Sequence, residues 1–434
     1  DYFVDEEDVR VCKDIPEESC DYVPGNFFTQ IFASTLSKLG DEISNPKTTL
    51  AWLFSFVQAP LFLVGFLVPI RESGSMLPQI MIAALVRRQQ VRKWVWVIGS
   101  LLQGIAMAGM ALTAYSLSGV VAGWTLIALL VLFSLARGLC SVASKDVLGK
   151  TIPKTRRGRL GGFATSISGL LAICVGLFML MRQGDTNSQL FYTQLLLLAS
   201  GLWLIAAVVY SQIREKPGAT SGGNNAIEEA IDNLGLLKRD PPFRYFVIVR
   251  SLFLCSALTA PYYVVLATRN TDAKLSTLGL FIVANGLASS LSAPFWGRLA
   301  DRSSRTVMIR AALLSAVLGI LMFVLVTFVP TVAQQIWIYP LALFILGIAH
   351  SGVRLGRKTY IVDMAGGNKR TDYVAVSNTV IGVILLLTGF VGALAQVVST
   401  TGVILILSLF GIAGVLLAQK LPDCLLYTSD AADD

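Results

Sequence analysis

The chain has 434 residues, of which 54% are hydrophobic and only 14% charged, and its mean hydropathy is +0.67. A soluble domain carries about 25% charged residues, so the composition argues against a water-soluble globular protein and for a lipid environment. The net charge of +8 does not mark a nucleic-acid partner, because the basic residues fall in short clusters between apolar runs, as membrane topology demands.

Cysteine and histidine usage excludes most metal chemistry. Cys140, Cys174 and Cys255 lie in apolar runs and read as packing residues, while Cys12 and Cys20 sit in an acidic N-terminal tail, too isolated for a metal site. His350 is the only histidine, and neither a metal nor another cofactor is expected. No cleavable signal peptide is visible. The chain opens on Asp1 rather than Met, and CLLYTSDAADD (Cys424 to Asp434) resembles translated adapter DNA more than protein. The expectation is a gene fragment with a non-native tail over 422–434.

A spanning helix needs about 20 apolar residues. In chain order the runs of that kind are spans 1 to 6 at 26–54, 58–84, 94–117, 119–143, 159–182 and 187–211, and spans 7 to 12 at 242–268, 275–297, 304–329, 334–353, 372–396 and 398–420. Lys38, Asp41, Glu42 and the Asn45-Pro46 step interrupt span 1. Between the two sets of six lies a Pro/Gly/Ser-rich linker. It continues into a short amphipathic helix in which Asn225 and Glu228 resemble a capping box and Ile227, Ile231 and Leu234 share a face.

The loops after spans 2, 4, 6, 8 and 10 hold almost all the interhelical Lys and Arg, whereas the opposite loops hold Arg182, Arg269 and Lys274. By the positive-inside rule the rich loops and both termini are cytoplasmic. The basic loops also recur at one offset of about 213–214 residues, Leu85 to Leu299 and Lys145 to Lys358. Both copies place their basic loops on the same side, so the repeats are parallel and each has an even number of helices. The expected organisation is an all-α integral membrane protein of twelve helices in two six-helix repeats. Its parts are a tail (1–25), an N-terminal bundle (26–211), a cytoplasmic linker (212–241), a C-terminal bundle (242–421) and the tail 422–434.

One loop sharpens this reading. Gly297-Arg-Leu-Ala-Asp301-Arg302-Ser-Ser-Arg305, between spans 8 and 9, is similar to the Gly-x-x-x-Asp-Arg-x-Gly-Arg loop of the major facilitator superfamily, with Ser304 where Gly is usual and Thr306 where a basic residue is usual. Pro153, Arg157, Gly158, Arg159 and Gly162 resemble that family's loop between its fourth and fifth helices. Between spans 2 and 3, Arg87 stands where the family's acid would be, and GGFATSISGLLAICVG in span 5 lacks the Gly-Pro motif of the drug/proton antiporters. The resemblance covers nearly all of 26–420 and implies a transporter fold whose spans 1, 4, 7 and 10 line a central cavity. It also implies a conformational latch of Gly297, Asp301, Arg302 and Arg305, with Asp301 pairing with Arg157, Arg159 or the start of span 5 when the cytoplasmic side closes. The alternative for that loop is a plain basic topology signal.

Charges at membrane depth are the most informative residues. By helix rise Asp41 lies about 22 Å into span 1, and Arg71 and Glu72 about 20 Å into span 2, in a core of about 30 Å. Each such charge costs about 2.5–3.5 kcal/mol on insertion scales, so they should face a watery cavity and be paired. Lys38, Asp41 and Glu42 share a helix face and form a cross-helix set with Arg71 and Glu72. This set is either a static brace or a substrate and proton site in which Glu72 or Asp41 carries the proton. Arg137 and His350 occupy equivalent places in spans 4 and 10, and Arg250 lies in span 7. They face substrate, or the arginines snorkel to headgroups and His350 only packs. Tyr262 and Tyr263 either close the outer mouth or, the preferred reading, form an interfacial belt. Gly162, Gly169, Gly176, Gly382, Gly389 and Gly392 read as small residues at helix contacts.

A nucleotide-driven pump would need a phosphate-binding loop, and Ser144 stands where its first Gly should be before Gly149-Lys150-Thr151. A membrane-embedded lipid-modifying enzyme would need a nucleophile and base cluster that one His does not supply. The duplicated halves argue against a channel. The expected function is therefore a non-enzymatic secondary transporter moving a small polar or anionic solute by alternating access, with a proton as the suspected coupling ion. A multidrug or metabolite exporter is the alternative. Its expected setting is a bacterial inner membrane, as a monomer among lipids.

Overall fold

The broken first span sets the pattern for the fold. The structure, a computed structural model, describes residues 17–78, 81–82, 85–86, 88–181, 188–217, 234–271, 275–300, 302–364 and 369–422. In the N-terminal half it forms α1 (Val23–Ile43), α2 (Thr49–Phe56), α3 (Leu61–Met76), α4 (Lys93–Ser116), α5 (Gly119–Thr151), α6 (Lys154–Met181) and α7 (Ser188–Ser211). In the second half it forms α8 (Pro241–Leu252), α9 (Ala260–Asn270), α10 (Leu275–Ala300), α11 (Ser304–Phe328), α12 (Ile338–Met364), α13 (Lys369–Thr388) and α14 (Thr400–Ala418). The described residues form no strand. Most of the amphipathic linker helix and residue Asp301 lie outside the described residues.

Nine of the described segments are long and apolar enough to cross a membrane. The other expected spans are α1 with α2, α3, and α10, whose apolar part is Thr277–Ser292. Span 1 breaks where the sequence says it should. Pro46 cannot donate to a helical ladder, α1 ends at Ile43, and the chain turns through Asn45, whose side chain accepts from the Lys47 N–H at 2.9 Å, before α2 starts at Thr49. Span 7 breaks at the matching place, α8 ending at Leu252 and α9 starting at Ala260, with Pro261 in its first turn. In span 2, α3 ends at Met76, ahead of Pro78, and the residues described beyond it, 81–82 and 85–86, are again helical. Span 4 continues to Thr151 and span 10 to Met364, farther than apolarity alone suggests.

The outward faces are apolar: Leu112, Val121, Leu170, Met181, Phe328 and Val397 are all exposed. On a soluble protein so much exposed apolar surface would drive association, whereas here it is the face offered to lipid. The buried faces use small residues for close approach. α4 packs on α5 and α7, and α11 on α12 and α14; across the halves α6 meets α10, α3 meets α13, and α2 meets α9.

The cross-half contacts gather at the end remote from the basic loops. A Cβ on Gly65 would come within 2.5 Å of Gly392, and one on Gly279 within 2.7 Å of the Gly176 carbonyl. Trp52 meets Phe281 edge-on at 5.8 Å between centroids, and Phe66 meets Phe390 at 5.2 Å. Tyr262 and Tyr263 are fully buried in this region, so they seal the closed end rather than forming a belt. Toward the basic-loop end the packing loosens, and a Cβ on Gly161, Gly162 or Gly297 would meet nothing within 4 Å. Of the glycines read as contact residues, Gly176, Gly382, Gly389 and Gly392 pack tightly and Gly162 does not.

Candidate functional site

The buried charges expected from helix depth come together where α1, α3 and α5 meet. Arg71 donates from Nη2 to Asp41 at 2.5 Å, and Arg137 approaches the other oxygen of the same carboxylate at 3.4 Å. Two guanidiniums from different helices thus share one carboxylate. Arg71 is 3% exposed and its guanidinium carbon lies over the Phe133 ring, 4.5 Å from the centroid, where the ring face attracts the cation. Its Nη1 is buried without a hydrogen-bond partner. Asp41 and Arg137 are 28% and 33% exposed, although both sit at membrane depth. Both are therefore only partly covered by the packed helices. Arg137 does not snorkel; it is turned inward by Asp41.

The rest of the expected cluster divides. Lys38 turns away from Asp41 and donates to the Gly161 carbonyl at 3.4 Å and to Thr165 Oγ1 at 2.5 Å, bracing α1 on α6. Glu42 crosses to the other half and accepts from Asn285 Nδ2 on α10 at 2.9 Å. Glu72 has no ion pair within 4 Å among the described residues. It lies instead within electrostatic reach of Arg137, Lys47, Arg71 and Arg357, cations from both halves. Arg250 is 7% exposed and donates to Ser377 Oγ at 2.5 Å and Asn378 Oδ1 at 2.9 Å on α13, so it too does not snorkel. His350 Nδ1 is 3.3 Å from Ser256 Oγ and feels Lys47, Arg354 and Arg357.

Lys47, Arg354 and Arg357 are the site residues that sequence reasoning missed. Each had a signal. Lys47 follows the Asn45-Pro46 break inside span 1, and His350, Arg354 and Arg357 fall on one helix face by their spacing. Arg354 and Arg357 stand just past the apolar end of span 10 and read as topology signals until α12 is seen to continue to Met364.

Of the proposed latch, Arg157, Arg159, Gly297, Arg302 and Arg305 are among the described residues and Asp301 is not. Arg157 donates to the carbonyls of Ile152 and Gly149, both at 2.9 Å, within its own half. Arg305 donates to the Leu421 carbonyl at 2.7 Å, and Arg302 and Arg159 are exposed. Gly297 faces open space, and Asp301 lies outside the described residues. Among the described residues no group of three or more His, Cys, Asp or Glu side chains is placed to hold a metal ion.

Comparison with known proteins places this architecture. Residues 251–423 match the family model described as Major Facilitator Superfamily. The fold matches the nucleoside transporter NupG with a TM-score of 0.71 at 13% identity, covering 91% of this chain and 99% of that one. It matches the xylose transporter XylE from E. coli in an inward open conformation with a TM-score of 0.66 at 13% identity, covering 92% and 96%. It matches the peptide transporter POT in complex with sulfate with a TM-score of 0.69 at 14% identity, covering 96% and 97%. At such identities these structures speak for the fold alone. No curated protein matches the sequence. The family match covers residues 251–423, under half of the chain, and the fold over its whole length is that of solved transporters. With nine described segments long and apolar enough to cross a bilayer, the chain is a multi-pass membrane protein whose second half is similar to the major facilitator superfamily.

Proposed function

We propose that the protein moves a small polar or anionic solute by rocking of its two halves around the central cavity, coupled to protons through Glu72. The observation that carries this reading is the set of charges at membrane depth: Asp41 shared by Arg71 and Arg137, and Glu72 beside cations of both halves. Among the described residues the carboxylate of Glu72 has no ion-pair partner within 4 Å, and Arg71 Nη1 is a buried donor without a partner. When Glu72 is ionised it attracts the cations of both halves; when it takes up a proton that attraction falls away, which links protonation to how the halves sit. One solved structure with this fold is a D-xylose-proton symporter, and coupling of that type fits this arrangement.

The remaining parts follow from the same reading. The bundles 26–211 and 242–421 are the rocking units, joined by the linker 212–241, with the basic loops and termini in the cytoplasm of a bacterial inner membrane. The structure then corresponds to a state closed outside and loosened inside. Asp301 pairs with Arg157 or Arg159 only when the inner side closes. The carrier works as a monomer.

The test is uptake of labelled small acids, sugars and amino acids into proteoliposomes carrying an inward proton gradient, comparing the native protein with Glu72→Gln. Accumulation that needs the gradient and is lost in a folded Glu72→Gln protein supports the reading. Accumulation unchanged in that variant removes Glu72 from the coupling and leaves it a structural group.

A further inference from the structure

Between α3 and α4 the outer surface is hollowed. A groove of about 800 Å³ opens there, at the basic-loop end of the bundle. One end of it is polar, with Arg88, Gln89 and Gln90, and the other is apolar, with Leu85, Trp94 and Ile98; all six are exposed. Neighbouring helices hold the turn in shape. The Gln90 carbonyl accepts from Lys150 Nζ at 3.2 Å, Arg92 pairs with Asp146 at 3.0 Å, and Lys93 Nζ donates to the Ser211 and Ile213 carbonyls, both at 2.8 Å. These contacts engage Arg92, Lys93 and Lys150, whereas Arg88 has no ion pair within 4 Å among the described residues. The acids at hand are taken as well, Asp146 by Arg92 and the fully buried Glu215 by Lys150. Among the described residues no acid lines the groove.

The apolar end does not stop at Ile98. Trp94, Ile98, Leu101 and Ile105 are all exposed and recur at intervals of four, three and four residues, so they form one stripe along α4. From Trp94 to Ile105 helix rise gives about 16 Å, close to half of a hydrocarbon core of about 30 Å, which is the depth of one leaflet. Trp94 heads the stripe with Lys93 Nζ 5.1 Å from its ring centroid, an aromatic and a cation where the helix enters the bilayer.

A guanidinium, amide donors beside it and a leaflet-deep apolar track below match the phosphate, the ester region and an acyl chain of a phospholipid, in that order. A zwitterionic headgroup would bring an ammonium beside Arg88 with no acid to receive it. A net anionic headgroup supplies the charge that the groove lacks. A soluble partner cannot follow the stripe into hydrocarbon, and a free phosphate gains nothing from it.

We propose that this groove binds one anionic phospholipid of the leaflet on the basic-loop side, its phosphate held by Arg88 and one acyl chain laid along Trp94, Ile98, Leu101 and Ile105.

The experiment is fluorescence quenching of the full chain in phosphatidylcholine vesicles containing increasing fractions of phosphatidylglycerol or phosphatidylcholine brominated on the acyl chains. The Trp94 signal is the difference between the native protein and Trp94→Phe. Brominated phosphatidylglycerol should quench it at about fivefold lower mole fraction than brominated phosphatidylcholine, the worth of one cation beside an anionic headgroup. Trp124 is exposed at the end of α5 remote from the basic loops; read in the same way with Trp124→Phe, it should show no preference. In Arg88→Gln the Trp94 preference should vanish, and in Arg88→Lys most of it should remain. Arg88 is an exposed turn residue, so both variants should fold. Equal quenching of Trp94 by the two lipids overturns the proposal. So does a preference that survives in Arg88→Gln, or one that Trp124 shares. Quenching of Trp94 by neither lipid would mean that the chain itself or a second copy fills the groove, and the proposal fails. Loss of the preference when glycerol phosphate is added at constant ionic strength would mark a site for a free anion, and that result also overturns it.

Discussion

The two halves share a fold but not a way of holding charge. Among the described residues every ion pair within 4 Å involves the first half or the start of the linker: Arg71–Asp41, Arg137–Asp41, Arg92–Asp146 and Lys150–Glu215. In the second half Arg250 rests on Ser377 and Asn378 and Tyr245 on the Leu417 carbonyl, while Ser304 donates to the Asp363 carboxylate and Tyr373 to that of Asp240. The offset between repeats shows how this arose in the residues themselves. Asp41 and Arg71 correspond to Leu254 and Ala284, and Glu72 corresponds to Asn285. The first half places matched charge where the second half carries Leu254, Ala284 and Asn285. That difference teaches that the pairing in the first half is not a general requirement of the fold.

The largest effect that would test this contrast is expected from Asp41→Asn. It leaves Arg71 and Arg137 facing each other across a neutral amide. Removing one member of a buried pair costs about 3–5 kcal/mol, and partial exposure of Asp41 reduces this to about 2–3 kcal/mol. Chemical unfolding in detergent measures it. A loss below about 0.5 kcal/mol would mean that the shared carboxylate does not hold the first half together.

Next in size is Gly176→Val at the closed end. Its Cβ would press on Val283 at 2.7 Å and on the Gly279 carbonyl at 3.0 Å, and overpacking of this kind costs about 1–3 kcal/mol. The cost falls on this closed arrangement, so accessibility of cysteines placed along α10 near Gly279 should rise. Gly162→Val in the same helix, where nothing lies within 4 Å, should change neither stability nor accessibility. Equal behaviour of the two variants would show that the tight contact is not what closes this end.

A smaller loss is expected from Glu215→Gln. The carboxylate is fully buried and accepts from the Arg92 N–H at 3.0 Å, the Lys93 N–H at 2.7 Å and Lys150 Nζ at 2.8 Å. It therefore caps the start of α4 from the linker and pairs with the end of α5. The amide keeps the shape and loses charge-assisted bonds, for about 1–2 kcal/mol. The same substitution should raise protease cleavage within the linker, because Glu215 pins its first residues. Unchanged cleavage would place the anchor elsewhere.

The smallest effect is expected from Arg250→Met. It removes a buried cation that has hydroxyl and amide partners but no counter-charge, so the lost bonds are offset by the relieved desolvation, and stability should stay within about 1 kcal/mol of the native protein. A loss as large as that of Asp41→Asn would erase the contrast between the halves.

Several features were fixed by local chemistry and are legible in the sequence. Apolar runs of spanning length, the breaker Pro46, the one-sided basic loops and the repeat at one offset establish a duplicated helical membrane protein, because hydrocarbon tolerates only backbone that is bonded within itself. Helix rise also placed Asp41, Arg71 and Glu72 at depth and required them to face away from lipid. What helix rise cannot supply is rotation and partner. Only packing of α1 on α3 and α5 decided that Asp41 serves both Arg71 and Arg137, that Lys38 turns to Gly161 and Thr165, and that Glu42 reaches Asn285 in the other half. Only the structure showed that α12 continues past its apolar end to carry Arg354 and Arg357 on the same helix as His350. The reason is physical: the cost of burying a charge depends on its depth, which one helix defines, while the relief of that cost depends on which other helix stands opposite.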